Sequence, residues 1–395
     1  MITLRLFLFA QILSTGVAML RADQDIHCIG PDAATGSSKV VTFSNRPLVY
    51  TDQLLPRAEG APTSQVRDLL GQLRTLRGGY GDEPPVRLEW CAASADVIPE
   101  ILSAMAREFS GPHKPAVTFA VGKLSRPSAA AALNAVATVS VFGKAVDFPF
   151  VTTVPTSTGA GRISHGKIAK LPSGGTTYIS GQMEQGTTTK ESATQTIGSL
   201  LKTLDFLKLR KSDAVQFKVF LQPISEAGDV IAAFGEAFGG EAAVPPVVFV
   251  EWLGKPSLEI EMVAASPANP NADSLEFLTP PDMKASPVFC RVVRANSTAR
   301  IFFSSIASSQ PGDGAAQTED VFAQLGSLLK LASSDLDHLA KATYFVSDDT
   351  ASKALNELRP RYYNPLRPPA ASKALVTGIG FASRMLSLDM IAVPK

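Results

Sequence analysis

The sequence predicts three consecutive α+β domains, each a mixed sheet with two helices on one face. Three observations carry this. The pentapeptide Gly198-Ser199-Leu200-Leu201-Lys202 returns letter for letter at Gly326-Ser327-Leu328-Leu329-Lys330, an offset of 128 residues, and a worn copy, Gly71-Gln72-Leu73-Arg74, stands 127 residues upstream. After each of these helical segments comes a strand with period-two alternation. After each strand comes a second helix ending on an aromatic, then a Pro-containing turn and an apolar final strand. A chain of 395 residues that repeats every 125–129 residues is three copies of one unit.

The elements follow in order. Arg5 is the only early charge, residues 6–13 form a short apolar core, and small residues follow at Gly16, Ala18 and Ala22. This predicts an export signal over residues 1–22, and hence a periplasmic or secreted protein; an uncleaved anchor and a cytoplasmic start are the other readings. The apolar run is too short to cross a bilayer comfortably, and no integral span is expected after it. The first copy, residues 24–141, carries the strand Val86, Leu88, Trp90, Ala92, the helix Ile98, Ile101, Leu102, Met105, Phe109, and the turn at Pro115. The second, residues 142–265, opens with Gly, Ser and Thr residues at 156–175 that read as hairpin turns or an extended loop. It continues with the strand Val215, Phe217, Val219, Leu221, the helix end Phe238 and the turn Pro245-Pro246. Residues 266–273 read as a Pro/Asn linker. The third copy, residues 274–395, repeats the pattern with Ala340, Ala342, Tyr344, Val346, then Tyr363 and Pro368-Pro369.

A sheet with helices on one face must cover the other. Three copies in one chain can cover one another around a pseudo-threefold axis, so a monomer built as an intrachain trimer is expected. Three units of about 125 residues are each large enough to bury a core.

The chain is 45% hydrophobic and 18% charged, with a net charge of +1. That balance argues against nucleic acid as a partner, which usually demands a basic face, and against a long disordered tail. Cys91 aligns with Phe220 and Phe345 on the repeated strand and reads as a buried apolar thiol. Cys28 and Cys290 open their copies; they read as free thiols or, in an exported protein, as a pair. His27, His113, His165 and His338 are scattered without ligand spacing, so neither a metal site nor a cofactor is expected. Ser199 to Lys202 echoes a Ser-x-x-Lys motif but lies on the repeated amphipathic helix, beside Leu200, Leu201 and Leu204, and reads as packing.

Further stretches carry a resemblance. Tyr178-Ile179-Ser180-Gly181-Gln182, residues 193–204, residues 213–221, Phe234-Gly235-Glu236-Ala237-Phe238 and residues 258–264 of the second copy, with 338–348, 356–363 and 369–374 of the third, resemble the RidA (YjgF/YER057c/UK114) family, also labelled endoribonuclease L-PSP-like. The first copy matches mainly in pattern. The resemblance implies a trimeric arrangement, ligand sites in the clefts between units, and hydrolysis of enamines and imines derived from amino acids. It also implies an arginine just after the Pro turn that grips the substrate carboxylate, a glutamate on the last strand, an asparagine on the second helix and a Ser-Gly backbone.

Carried over residue by residue, that set is broken. The arginine position falls on Val117, on or near Val247, and on Ala371. The glutamate survives only as Glu259, against Ala132 and Ser387. The asparagine survives only as Asn356, against Leu102 and Ile231. Ser180-Gly181 is kept once, with Ser304-Ser305 in its place in the third copy. Lys373 and Arg367 flank the third turn as possible replacement cations. Glu259 and Lys373 are therefore the candidate catalytic pair, and Ser180, Gly181, Asn356 and Arg367 the candidate substrate contacts. Three functions follow from the resemblance and its gaps: a protein with diverged clefts that binds a small molecule, an enamine/imine deaminase using a replacement cation, or a structural, partner-binding module.

Overall fold

The computed structural model describes residues 26–78, 83–139, 151–157 and 163–395. The expected export signal and the boundary at 141/142 lie outside the described residues. The described chain is α+β, with three mixed sheets.

In chain order, β1 (His27–Asp32) and β2 (Ser37–Phe43) form a hairpin, followed by β3 (Leu48–Thr51), α1 (Pro62–Gly78), β4 (Pro85–Ala92), α2 (Ile98–Glu108), β5 (Ala116–Val121) and β6 (Ala131–Thr138). A second hairpin, β7 (Val151–Ser157) and β8 (Ile163–Leu171), precedes β9 (Gly175–Gln182), α3 (Thr189–Phe206), β10 (Ala214–Leu221), α4 (Ala227–Phe238), β11 (Val247–Glu251) and β12 (Leu258–Ser266). A third, β13 (Leu275–Leu278) and β14 (Val292–Ala295), precedes β15 (Arg300–Phe303), β16 (Ile306–Ala307), α5 (Gly314–Leu331), β17 (Leu339–Val346), α6 (Asp349–Leu358), β18 (Ala370–Leu375) and β19 (Leu386–Ala392). The α6 helix stops before Tyr363, where the pattern had extended it, because Pro360 has no N–H to continue the ladder.

The three sheets share one strand order: β5-β4-β6-β3-β8-β7, β11-β10-β12-β9-β14-β13, and β18-β17-β19-β15-β2-β1 with β16 also on β19. Each has one parallel pair and is otherwise antiparallel. Every hairpin completes a sheet other than that of the helices following it. β7–β8 add to β3, β13–β14 add to β9, and the N-terminal β1–β2 add to β15. Sheet membership thus runs across the spans 24–141, 142–265 and 274–395, and the first strands of the chain are tied to its last.

The helices cover one face of each sheet over apolar clusters centred on Leu69 and Trp90, on Phe217 and Phe234, and on Phe322 and Tyr344. The other faces meet. One cluster joins Tyr50, Val86, Val215, Val293, Ala340 and Ile391; a second joins Cys91, Phe220 and Phe345 with Trp252 and Ile379, so both draw on all three sheets. The period-two pattern puts Val86, Val215 and Ala340 in one alternating set with the rest of their strands. A β-bulge at the same place in each sheet, between Pro85 and Arg87, Ala214 and Gln216, and Leu339 and Lys341, turns them to the shared interior instead.

Between those apolar clusters lies a buried charged layer. Arg87 pairs with Glu89 and with Asp389, and Lys218 reaches Glu89 at 3.1 Å and Glu261 at 3.8 Å. Lys341 pairs with Glu261 at 2.7 Å. Cys28, Cys91 and Cys290 are free thiols, so the pairing of Cys28 with Cys290 does not occur; each of those two thiols instead meets a backbone carbonyl, Lys114 O for Cys28 and Val292 O for Cys290. Among the described residues no helix is long and apolar enough to cross a membrane.

Candidate functional site

Where one sheet's first inner strand meets another sheet's parallel edge, three clefts form with matching geometry. The register confirms the correspondence: Val117, Val247 and Ala371 stand opposite Leu88, Phe217 and Ala342, themselves one repeat apart. At all three the backbone N–H donates to a side chain from the facing sheet. Val247 donates to Asp52 Oδ1 at 2.8 Å, Ala371 to Ser180 Oγ at 2.7 Å, and Val117 to Ser304 Oγ at 2.7 Å. The positions where an arginine was sought are thus small or apolar residues whose backbone clamps two sheets together.

The next residue decides what each cleft can hold. Gln53 fills the first: its Oε1 accepts from Phe249 N at 3.2 Å and its Nε2 donates to Phe249 O at 2.8 Å. Ser305 lines another, its Oγ accepting from Phe119 N at 3.2 Å. Gly181 leaves the third without a side chain, and Glu259 takes the space; a Cβ on Gly181 would stand 1.9 Å from Glu259 Oε1. Glycine is required there by close approach.

Glu259 is buried on β12. Burial pushes its carboxyl up to about 7, with the neighbouring Glu261 adding to the rise. A hydrogen bond with Ser372 and the charges of Arg291 and Lys373 oppose it. Lys373, half-buried on β18, donates to Ser352 Oγ at 2.9 Å and Asn356 Oδ1 at 3.1 Å. Burial and the nearby Arg359 hold its ammonium below the ordinary lysine range. Ser372 also binds Gly181 N–H, at 3.2 Å. Of the residues expected from sequence, Ser180, Gly181, Glu259, Lys373 and Asn356 come together here. Arg367 does not: it lies over the Phe277 ring, 4.9 Å from its centroid, and faces Asp273 at 3.4 Å.

Sequence reasoning missed a cation. Arg291, on the exchanged hairpin, gives its carbonyl to Ser180 N at 3.0 Å, and its guanidinium lies over Phe289, 4.8 Å from the ring centroid. The matching hairpin positions are Lys167, whose carbonyl takes Asp52 N, and Lys39, whose carbonyl takes Ser304 N, each at 2.9 Å. Lys39, Lys167 and Arg291 are 128 and 124 residues apart, the period of the repeat, and that spacing is the signal that could have exposed them.

No family model and no curated protein matches the chain. Solved structures do. The chain is similar to YjgF and Rid proteins. A YjgF-family protein from Neisseria meningitidis is 22% identical over 31% of this chain and 95% of its own, with a TM-score of 0.24. The Rid-family protein YyfB from Yersinia pestis is 17% identical over 31% of this chain and 99% of its own, with a TM-score of 0.29. A YjgF/YER057c/UK114 protein from Mycobacterium tuberculosis is 19% identical over 24% and 78%, with a TM-score of 0.22. Each spans about a quarter to a third of the chain.

Proposed function

We propose that the chain is an exported, intrachain pseudo-trimer of RidA-like units whose clefts have diverged, and that it binds a small molecule in the cleft around Glu259. The observation that carries this is the placement of Glu259: a buried carboxyl held near neutrality, pressed against a residue that must be glycine, and flanked by Lys373 and Arg291. Structural ion pairs are seldom left half-satisfied in this way, whereas binding and catalytic clefts are where such groups collect.

A second reading rests on the same pair. A carboxyl near 7 is suited to exchange a proton with a bound water, and Lys373 or Arg291 supplies the positive charge that a substrate carboxylate needs. This is the reading as an enamine/imine deaminase with a replacement cation.

One experiment separates them. Wild-type protein and Glu259→Gln are incubated with freshly generated 2-iminopropanoate, and ammonia release is measured beside a thermal-shift screen of small amino-acid-derived ligands. Turnover that Glu259→Gln abolishes supports the deaminase. Saturable ligand stabilisation without turnover supports binding alone. Absence of both overturns the small-molecule proposal and leaves a structural module.

A further inference from the structure

The Ser304-Ser305 cleft differs from the one around Glu259 in shape and chemistry. Beside it runs a groove of about 550 Å³, within the range of small-molecule pockets. Its walls are Ile306 from β16, Ala323, Leu328 and Leu331 from α5, and Phe381 from the loop before β19. Large apolar side chains exposed singly are ordinary. Here two of them, Leu331 at 65% and Phe381 at 38% exposure, converge on one concavity.

Among the described residues, Lys39 is the one charged residue lining this groove. Its stem packs on Gly30 across the hairpin; a Cβ at Gly30, whose φ is +60°, would lie 3.1 Å from both Lys39 Cγ and Cδ. Glycine at that point of β1 therefore lets the lysine stem lie flat across the hairpin. Of the three equivalent cations, Lys167 donates to Glu241 O at 2.7 Å and Arg291 donates to Lys284 O at 3.1 Å. The Lys39 ammonium makes no hydrogen bond or ion pair among the described residues. Ser305 Oγ accepts from Phe119 N, which leaves its own proton to donate into the groove.

We propose that this groove binds a small organic carboxylate with an apolar body. The carboxylate sits at Lys39 and Ser305, and the apolar body lies along Leu328, Leu331 and Phe381. An unpaired cation beside an apolar wall favours this amphiphile over a neutral one, because a charge-assisted hydrogen bond is roughly twice as strong as a neutral one. The site is separate from the Glu259 cleft and does not depend on its reading.

The test is calorimetric titration of the full chain with sodium octanoate, and with octanol as its neutral counterpart. Octanoate is expected to bind saturably and more tightly than octanol. Lys39→Gln should weaken octanoate about tenfold and leave octanol unchanged. Ala323→Phe, an exposed helix position that fills the groove, should remove both. Glu259→Gln should alter neither. Equal binding of octanoate and octanol, indifference to Lys39→Gln, loss of octanoate binding in Glu259→Gln, or no saturable binding of octanoate would each overturn the proposal.

Discussion

Glu259 and Glu261 stand two residues apart on β12, on the same face and both buried, yet their acidities move in opposite directions. Lys341 and Lys218 hold Glu261 below the ordinary carboxylate range against the cost of burial. Glu259 meets the same cost and is pushed up, because Arg291 and Lys373 stand beside it without forming an ion pair. The difference lies in who supplies the partners. In the interior, Arg87 and Glu89 come from one sheet, Lys218 and Glu261 from a second, and Lys341 and Asp389 from the third. Glu89 and Lys218 are one repeat apart, and they pair with each other at 3.1 Å. A trimer of identical chains would set like charges against one another at that position, whereas a single chain can set a cation against an anion. At the cleft no such completion occurred, and the leftover carboxyl is the chemically available one.

The sharpest way to break this comparison is to unbalance the interior. Lys341→Met leaves Glu261 with Lys218 alone, at 3.8 Å, and should cost about 3–5 kcal/mol in a urea melt, the usual penalty for stripping a buried pair of one partner. Lys341→Met with Glu261→Met removes both charges and should recover most of that loss. If the double variant is no more stable than the single one, the charged layer is not held by pairing.

Glu259→Gln should do the reverse. Its folded carboxyl sits near 7 against an ordinary value of 4.5, so the folded state binds the extra proton between those values. Its contribution to stability is then fully present below about pH 4.5 and is lost as pH rises through 7. The glutamine variant escapes that loss and should be more stable than wild type at pH 8 by roughly 3 kcal/mol, at about 1.4 kcal/mol per pH unit, and nearly equal at pH 4. Equal stability at both pH values would mean that Glu259 ionises freely.

Much of this was legible in the sequence because the repeat was. The alternation of Phe217, Val219 and Leu221, and the alignment of Ala132, Glu259 and Ser387, are local patterns that copy along the chain. The turn of Val86, Val215 and Ala340 to the interior was not legible, since a bulge adds a residue without changing hydrophobicity. Nor was the exchange of hairpins: the alternation of β1–β2 suits any sheet edge, and which edge it joins depends on chain geometry. That exchange also hid Arg291 and Lys39, which lie beside clefts formed by strands of other units. Arg367 was sought for its place near the Pro turn, but Asp273 and Phe277 hold it elsewhere.

The smallest effect concerns the closed cleft. Gln53 stands where Gly181 stands, and its amide makes two hydrogen bonds with the backbone of Phe249, across the junction between two sheets. Neutral hydrogen bonds contribute about 0.5–1.5 kcal/mol each, so loss of the two in Gln53→Ala should lower stability by roughly 1–3 kcal/mol. The cleft it opens has Ala132 where the other has Glu259, and its own carboxyl, Asp52, stays engaged by Val247 N–H. Ligand binding at Glu259 should be unchanged in this variant, as read by calorimetry beside the melt. If instead Gln53→Ala weakens that binding, the clefts communicate through the sheets they share, and the contrast between a sealed and a working cleft would have to be redrawn as one coupled site.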